Sequence, residues 1–461
     1  MAGDQSTSRS TTPVATSVPR TRLAGFAVGS VGTALFSTVP GLLLLFYLTD
    51  TLGVPAAAAG VVVVLPKAWD VLFNPVVGLW SDREAGRTGH RTRLLLVGTC
   101  TLPVGFAVMF ASPADGTAGL LWVLGAYLLA ATAFAFFQVP YVSLPTEMSA
   151  DAGERTRVMS WRIVALTLGI LLGGGLAPLL ITAGGGGHPG HLLMGVAMGA
   201  VAFVALLVAT RSTRWVPSRG GQQQLGLRGT LAQARGNRAF VLLAACYVPQ
   251  VLGIAMMQAA VAYVATYRLD DYGLTSLLFV ALVAPGIVAV PLWARLAGRI
   301  GKVRCYRLCT AGLAVVCLAL LPAVLSGGVA LVLGLVLLMG VAFGGQQMLP
   351  FALLPDTILV DAERTGQQQA GVFSGAFAAL ETAAFAVGPG VFALVLAFTG
   401  FASSTFDEPV RQGGAALNGI AIGFSLVPAL LVAATLPLIG RYARTEAAAV
   451  GDSAVGANGA R

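Results

Sequence analysis

Charge is what this chain has least of. Asp, Glu, Lys and Arg make up 10% of its 461 residues, where a soluble domain carries about 25%. That shortage, beside 56% hydrophobic residues, excludes an ordinary water-soluble globule. Histidine is reduced to three residues and cysteine to five. Cys100, Cys246, Cys305, Cys309 and Cys317 lie in or beside apolar segments without paired spacings. A disulfide framework and a cysteine zinc site are therefore excluded, and all five read as small core residues. His188 and His191 are too few for a metal site and read as solvated loop residues beside the glycine run 184–187. That run is no phosphate loop, because no strand precedes it and no Lys-Ser/Thr follows. No nucleophile has an evident base beside it, so the chain reads as neither a metalloenzyme nor a hydrolase. The N-terminal region lacks a short apolar stretch ending in a small-residue cleavage site, and its first apolar stretch reads as a retained span.

What the chain does have is apolar runs of spanning length, about 20 residues each. They predict an all-α polytopic membrane protein with twelve spans. The expected spans are 23–49, 57–81, 94–112, 118–145, 158–183, 190–210, 239–266, 273–297, 306–326, 328–354, 369–399 and 414–440. Fifty-eight glycines suit helices that pack backbone to backbone. The division expected is a disordered tail 1–21, a six-helix bundle 22–210, a polar linker 211–238, a second bundle 239–441 and a tail 442–461. The formal net charge is +9, but the arginines are dealt out between apolar runs, so topology and not nucleic-acid binding explains them. Arg83, Arg87, Arg91, Arg93, Arg155, Arg157, Arg299, Lys302, Arg304, Arg307, the linker and Arg441 fall on one side. Arg268 and Arg411 fall on the other, alongside Asp50, Asp115, Asp270, Asp271, Asp407 and Glu408. The positive-inside rule then puts both termini in the cytoplasm, in a plasma-membrane protein.

An internal repeat supports the six-and-six division. Arg83-Glu-Ala-Gly86-Arg87-Thr-Gly89 recurs as Arg295-Leu-Ala-Gly298-Arg299-Ile-Gly301. Pro140-Tyr-Val-Ser-Leu-Pro145 with Asp151 and Glu154-Arg155-Thr156 recurs as Pro350-Phe-Ala-Leu-Leu-Pro355 with Asp361 and Glu363-Arg364-Thr365. Two parallel six-helix repeats describe a major facilitator transporter.

On the second expected span Lys67, Asp70 and Asn74 are spaced to share one helix face. Charge inside a span is a functional-site hypothesis by default, because desolvating it costs several kcal/mol unless it pairs or meets water. Asp70 reads as a proton or cation carrier, or as a structural partner of Lys67. Glu381, Gln138 and Gln258 are further polar groups within spans. Asp82, Arg83, Arg87, Glu147, Asp151 and Arg155, with Arg299, Asp361, Glu363 and Arg364, read as a charge network latching the cytoplasmic ends of the two halves.

Gly78-Leu-Trp-Ser-Asp82-Arg83 followed by Arg87 resembles the loop motif of the major facilitator superfamily. Trp69-Asp70-x-x-x-Asn74-Pro75-x-x-Gly78, Pro140-Tyr141-x-Ser143-Leu144 and Glu154-Arg155 before Trp161-Arg162 narrow the likeness. The chain resembles the glycoside–pentoside–hexuronide:cation symporters, the melibiose permease family, over nearly its whole length. The resemblance implies a cation site on Asp70, with Asn74 where a second carboxylate stands in melibiose-type members. It implies that Lys67 replaces a family arginine and that Arg162 matches the family arginine of the fifth helix. The family's sugar-binding aspartates fall on Ala34 and Gln138, an aromatic position falls on Val142, and the eleventh-helix lysine falls on or near Thr382, beside Glu381. Expected substrate contacts are Lys67, Gln138, Arg162, Glu381 and Thr382. One carboxylate fewer favours a proton over sodium as the coupling ion, since a single carboxyl still binds and releases a proton. The expected function is alternating-access symport of a sugar, glycoside or related small solute by a monomer in the bilayer, with no other cofactor. The alternative is a proton-driven exporter of a hydrophobic metabolite, drug or lipid-like solute.

Overall fold

Apolar runs this long can bury their backbone polar groups in a bilayer only as helices, and helices are what form. The computed structural model describes residues 18–149, 151–218, 235–365 and 370–445, with side chains for all of these except 152, 360–365, 370 and 371. Twelve helices among the described residues are long and apolar enough to span. They are α1 Arg20–Leu44, α2 Ala56–Thr88, α3 Thr92–Met109, α4 Gly116–Met148, α5 Gly153–Ala183 and α6 Gly187–Ser212, then α7 Arg238–Arg268, α8 Leu274–Ile300, α9 Lys302–Ser326, α10 Val329–Leu359, α11 Val372–Phe398 and α12 Gly414–Thr445. Exposed Val288, Leu72, Leu129 and Phe398 belong to the outward apolar surface expected of a multi-pass membrane protein.

Several helices outrun their apolar stretches. α2 continues through Arg83 and Arg87 and stops only at Gly89, whose φ of 72° makes a left-handed cap. The basic stretch after the expected span 57–81 therefore begins as helix, with Arg83 and Arg87 inside α2. α1 carries a π turn at Pro40–Leu44 and leads into another at Tyr47–Thr51. The glycine run is also shorter as a loop than expected, because α6 starts at Gly187. His191 consequently lies inside a helix, 2% exposed and ringed by Tyr47 and Phe110, which corrects its reading as solvated. Cys100 is exposed while the other four cysteines are buried.

The first six helices pack mainly on one another, through α1 on α5 and α6, α3 on α4 and α6, and α2 on α4. The last six do the same, through α7 on α11 and α12, α8 on α10, and α9 on α10 and α12. Small residues set these distances: a Cβ on Gly340 would lie 2.6 Å from the Leu282 carbonyl oxygen, so α10 and α8 touch backbone to backbone. The halves meet through α2 on α11, α5 on α8, and the Pro40–Leu44 turn of α1 on α7.

Two faces can be told apart by their contacts. On the basic face Val18 donates to Glu154 at 2.9 Å and Ser218 N donates to Gly89 O at 2.8 Å. On the far face, which carries the acidic loops, Gly116 N donates to Leu52 O at 2.6 Å and His188 meets Asp115 at 2.9 Å.

The halves are joined toward the far face. Gly60 of α2 faces Ala393 and Gly390 of α11, and Gly174 and Gly175 of α5 face Phe279 and Val280 of α8. One continuous apolar core runs through this region from both halves. A second core, around Phe240, Tyr247, Leu353, Phe373 and Phe377, belongs to the second half alone.

Candidate functional site

α2 turns a polar stripe inward. Asp70 is 6% exposed, and the charge acting on it is that of Lys67, with Asn74 as its hydrogen-bonding neighbour. Lys67 and Asp70 do not form a direct ion pair among the described residues. The Lys67 ammonium instead lies 5.4 Å from the centre of the Phe36 ring on α1 and within reach of the Tyr127 hydroxyl on α4. Tyr127, absent from the expected site, thus helps to hold Lys67.

Six buried polar atoms among the described residues of this half have no partner; two are His191 Nε2 and Trp215 Nε1, and the other four are Asp70 Oδ1, Asn74 Oδ1, Gln138 Oε1 and Arg162 Nε. These four come from α2, α4 and α5, and each residue had been singled out in the sequence. Arg162 stacks at 5.8 Å over Tyr141, whose hydroxyl is committed to Ser30 at 2.8 Å and to the Phe26 carbonyl at 2.7 Å. Unpaired buried donors and acceptors are rare in native proteins, and each costs about 1–3 kcal/mol. The four on α2, α4 and α5 leave hydrogen-bonding capacity inside the spans unused.

Glu381 lies in the other half. Neither Lys67 nor Arg162 pairs with it; the Tyr247 hydroxyl donates to it at 2.6 Å, and Gln347 lies 3.3 Å from the same hydroxyl. Tyr247 stacks on Phe377 at 4.8 Å, and Phe351 packs edge-on against both rings. The acid therefore stands in an aromatic frame. Only the polar tips of Tyr247 and Gln347 inside apolar spans could have signalled it. Thr382 is exposed and its hydroxyl is spent on Ala378 O, 2.9 Å away on its own helix. Gln258 is half-buried on α7.

The charged ends of the helices form local pairs. Arg91, 5% exposed, bridges Asp82 at 2.8 Å and Glu147 at 3.0 Å, and donates to Ser81 at 2.6 Å. Glu147 also accepts from Ser218 at 2.5 Å. Arg91 makes the ion pairs at this end of α2 within the first half, while Arg83 and Arg87 are exposed. The reason is reach: Arg91 follows the Gly89 cap and folds back between α2 and α4. Asp151 caps α5 by accepting from Glu154 N at 2.7 Å, and Glu154 pairs with Arg157 at 3.0 Å. Arg155 donates toward Ser149 O at 3.5 Å. In the second half Lys302 pairs with Asp356 at 2.5 Å, while Arg299 is exposed. The side chains of Asp361, Glu363 and Arg364 lie outside those described. Every ion pair above stays within one half.

No group of three or more His, Cys, Asp or Glu side chains among the described residues could hold a metal ion. Twelve apolar helices in two bundles, with unpaired polar groups inside, define a membrane transporter of major facilitator architecture. The profile of the family described as MFS/sugar transport protein matches residues 25–446, and the chain belongs to that family. It is similar to the uncharacterized symporter sll1374 of Synechocystis sp., at 26% identity over 93% of this chain and 94% of that protein. It is similar to the glucuronide carrier protein homolog of Escherichia coli K12, at 24% identity over 92% of each chain. It is also similar to the sodium-dependent lysophosphatidylcholine symporter 1 of Mus musculus, at 22% identity over 72% of this chain and 69% of that one. Among solved structures, a bacterial homolog of the human lysosomal transporter Spinster has the same fold, with a TM-score of 0.68 at 15% identity, covering 93% of this chain and 98% of that one. The protein is a transporter and not an enzyme.

Proposed function

We propose that this protein is a proton-coupled symporter of a sugar, a glycoside or a related small polar solute. The observation that carries the reading is the set of four orphaned polar atoms on Asp70, Asn74, Gln138 and Arg162. They offer acceptors and a donor, together with the fixed positive charge of Arg162, and a polyhydroxylated solute brings both donors and acceptors to meet them. Glu381 with Tyr247 supplies a second anchor from the other half, and its aromatic frame suits the flat apolar face of a sugar ring. A solute held by both halves transmits their rocking, which is the physical content of alternating access.

Asp70 is the proton carrier in this reading. Its carboxyl has one unpaired oxygen, and Asn74 adds a carbonyl but no second charge. A cage for sodium would need several oxygen ligands with more negative charge among them. The symporter relatives support coupled transport, and the glucuronide carrier homolog supports a sugar-like solute. The lysophosphatidylcholine symporter supports a lipid-like one.

The test is ligand stabilisation of the purified protein against mono- and disaccharides, glycosides and lysolipids, with and without sodium, at acid and neutral pH. A true ligand raises the unfolding temperature by binding only the folded state. Uptake of that ligand into proteoliposomes under an imposed pH gradient then tests coupling. A sugar or glycoside that stabilises without sodium and accumulates with the gradient is the expected result. Stabilisation by lysolipids alone replaces the sugar reading with transport of an amphiphile, and strict sodium dependence removes the proton.

A further inference from the structure

One buried acid, Asp50, lies apart from the polar stripe of α2 and from Glu381. Asp50 lies beyond the last residue of the apolar span α1, in the turn Tyr47–Thr51, and is 9% exposed. It sits in the seam where the two halves meet at the far face. Thr49 Oγ1 donates to one carboxyl oxygen and Tyr267 Oη, from α7 in the other half, donates to the second. The single Thr49 hydroxyl hydrogen is thereby used, so Tyr263 Oη, 2.7 Å away and also on α7, is the donor to Thr49. The backbone joins in: Ser404 N donates to Thr49 O at 2.9 Å, and Leu52 bridges Thr405. Phe46 packs against Tyr263 and Tyr272, and Phe406 rests on Gly186 and Gly187. This cluster contains the cross-half hydrogen bonds found among the described residues.

The charge balance of the seam is unusual. The titratable groups facing Asp50 are the phenols of Tyr263 and Tyr267 on α7 and of Tyr272 in the following loop. From the α11–α12 connection come only Ser404 and Gln412, acting through Tyr267. Arg268, next in sequence to Tyr267, is turned away to Leu417 O at 3.1 Å and Asn418 Oδ1 at 2.9 Å. A carboxylate sealed here has two hydrogen bonds and no cation, and burial outweighs those bonds, pushing its carboxyl up to about 7.

We propose that Asp50 is a proton-binding site distinct from Asp70, whose proton holds the far face of the transporter closed. The proposal rests on the reading of the protein as proton-coupled and adds a second site to it. With the proton on, the carboxyl is neutral and the seam closes over it without burying a charge. With the proton off, closure strands an anion among phenols, and the halves part so that water can reach it. The affinity for the proton is raised in the closed seam and ordinary in the parted one. Closure is therefore fully favoured below the ordinary carboxyl range, weakens by about tenfold for each pH unit from there up to about 7, and levels off above it. An acidic solution on that face would load Asp50 and promote closure behind an entering solute.

The experiment reads the seam directly, without substrate. Nitroxide labels are placed on Thr117→Cys and Glu408→Cys, both exposed and on opposite halves of the far face, in a Cys100→Ser background. Their separation is measured by electron–electron double resonance on the full chain in lipid nanodiscs from pH 5 to 9, without sodium. The short distance is expected to dominate at pH 5 and to give way to a longer one as pH rises to about 7, with little further change above it. Asp50→Asn is expected to stay short throughout. Tyr267→Phe is expected to lower the midpoint, because it removes a hydrogen bond that ties the closed halves and is absent from the parted ones; it also serves if Asp50→Asn does not fold. A parent with no pH response, an Asp50→Asn variant that titrates like the parent, or a Tyr267→Phe variant with an unmoved midpoint overturns the proposal. Asp70→Asn is expected to titrate like the parent here, so loss of coupled uptake and loss of the seam titration fail independently.

Discussion

Asp70 shows how much depends on one carboxyl. It is buried on α2 with Lys67 as the charge acting on it and one oxygen unpaired. Coupling one proton to a gradient of one pH unit supplies about 1.4 kcal/mol, a tenfold accumulation ratio. Asp70→Asn keeps the shape and removes the proton, so uptake is expected to lose that roughly tenfold concentrative factor while counterflow exchange persists. Both are measured on the same proteoliposomes with labelled solute. Concentration by the variant under a proton gradient would remove Asp70 from the coupling site. The inward stripe of Lys67, Asp70 and Asn74 was legible because charge in a span is expensive and helical spacing puts the three on one face. Arg91 was not legible as the bridge between Asp82 and Glu147, since nothing in a basic run tells which arginine folds back between two helices. Tyr247 as the partner of Glu381 was hidden for the same reason, the two being 134 positions apart in sequence.

At the scale of the element, the seam is governed by small residues. The run Gly173-Gly-Gly175 on α5 lies against Leu35 and Val39 of α1 on one side and against Phe279 and Val280 of α8 on the other. A side chain at Gly174 would collide with the Phe279 ring. Overpacking a contact of this kind costs about 1–3 kcal/mol. Gly174→Leu is therefore expected to shift the far-face equilibrium toward the parted state by roughly tenfold or more. The same pair of spin labels checks it at pH 5, where the parent is closed. An unchanged distance distribution in a folded variant would mean that α5 and α8 do not govern the seam. The glycine run could be read from the sequence as a place of close packing. Its partner helix could not, because α5 and α8 belong to different bundles.

Over the whole molecule, the distribution of charge decides orientation. The basic loops share one face with Val18 and Ser218, and the acidic loops share the other. By the positive-inside rule we propose that the basic face is the cytoplasmic one. A membrane-impermeant maleimide applied to intact cells is therefore expected to label Glu408→Cys and to spare Arg87→Cys, in a Cys100→Ser background. The reverse pattern would invert the topology, and with it the side from which Asp50 takes its proton.

The twelve spans, the helical class, the transporter family and the polar stripe of α2 followed from the sequence by itself. The physical reason is that a bilayer tolerates only helices of a set length with their charge placed with purpose, so composition and spacing are nearly sufficient. The tertiary structure alone decided where α1 meets α7, which arginine bridges α2 and α4, what holds Glu381, and that Asp50 is held by a tyrosine from the other half. Those are contacts between segments remote in sequence, and they depend on how the two bundles lean together. Packing across the seam chooses them, and no local pattern in the chain records that choice.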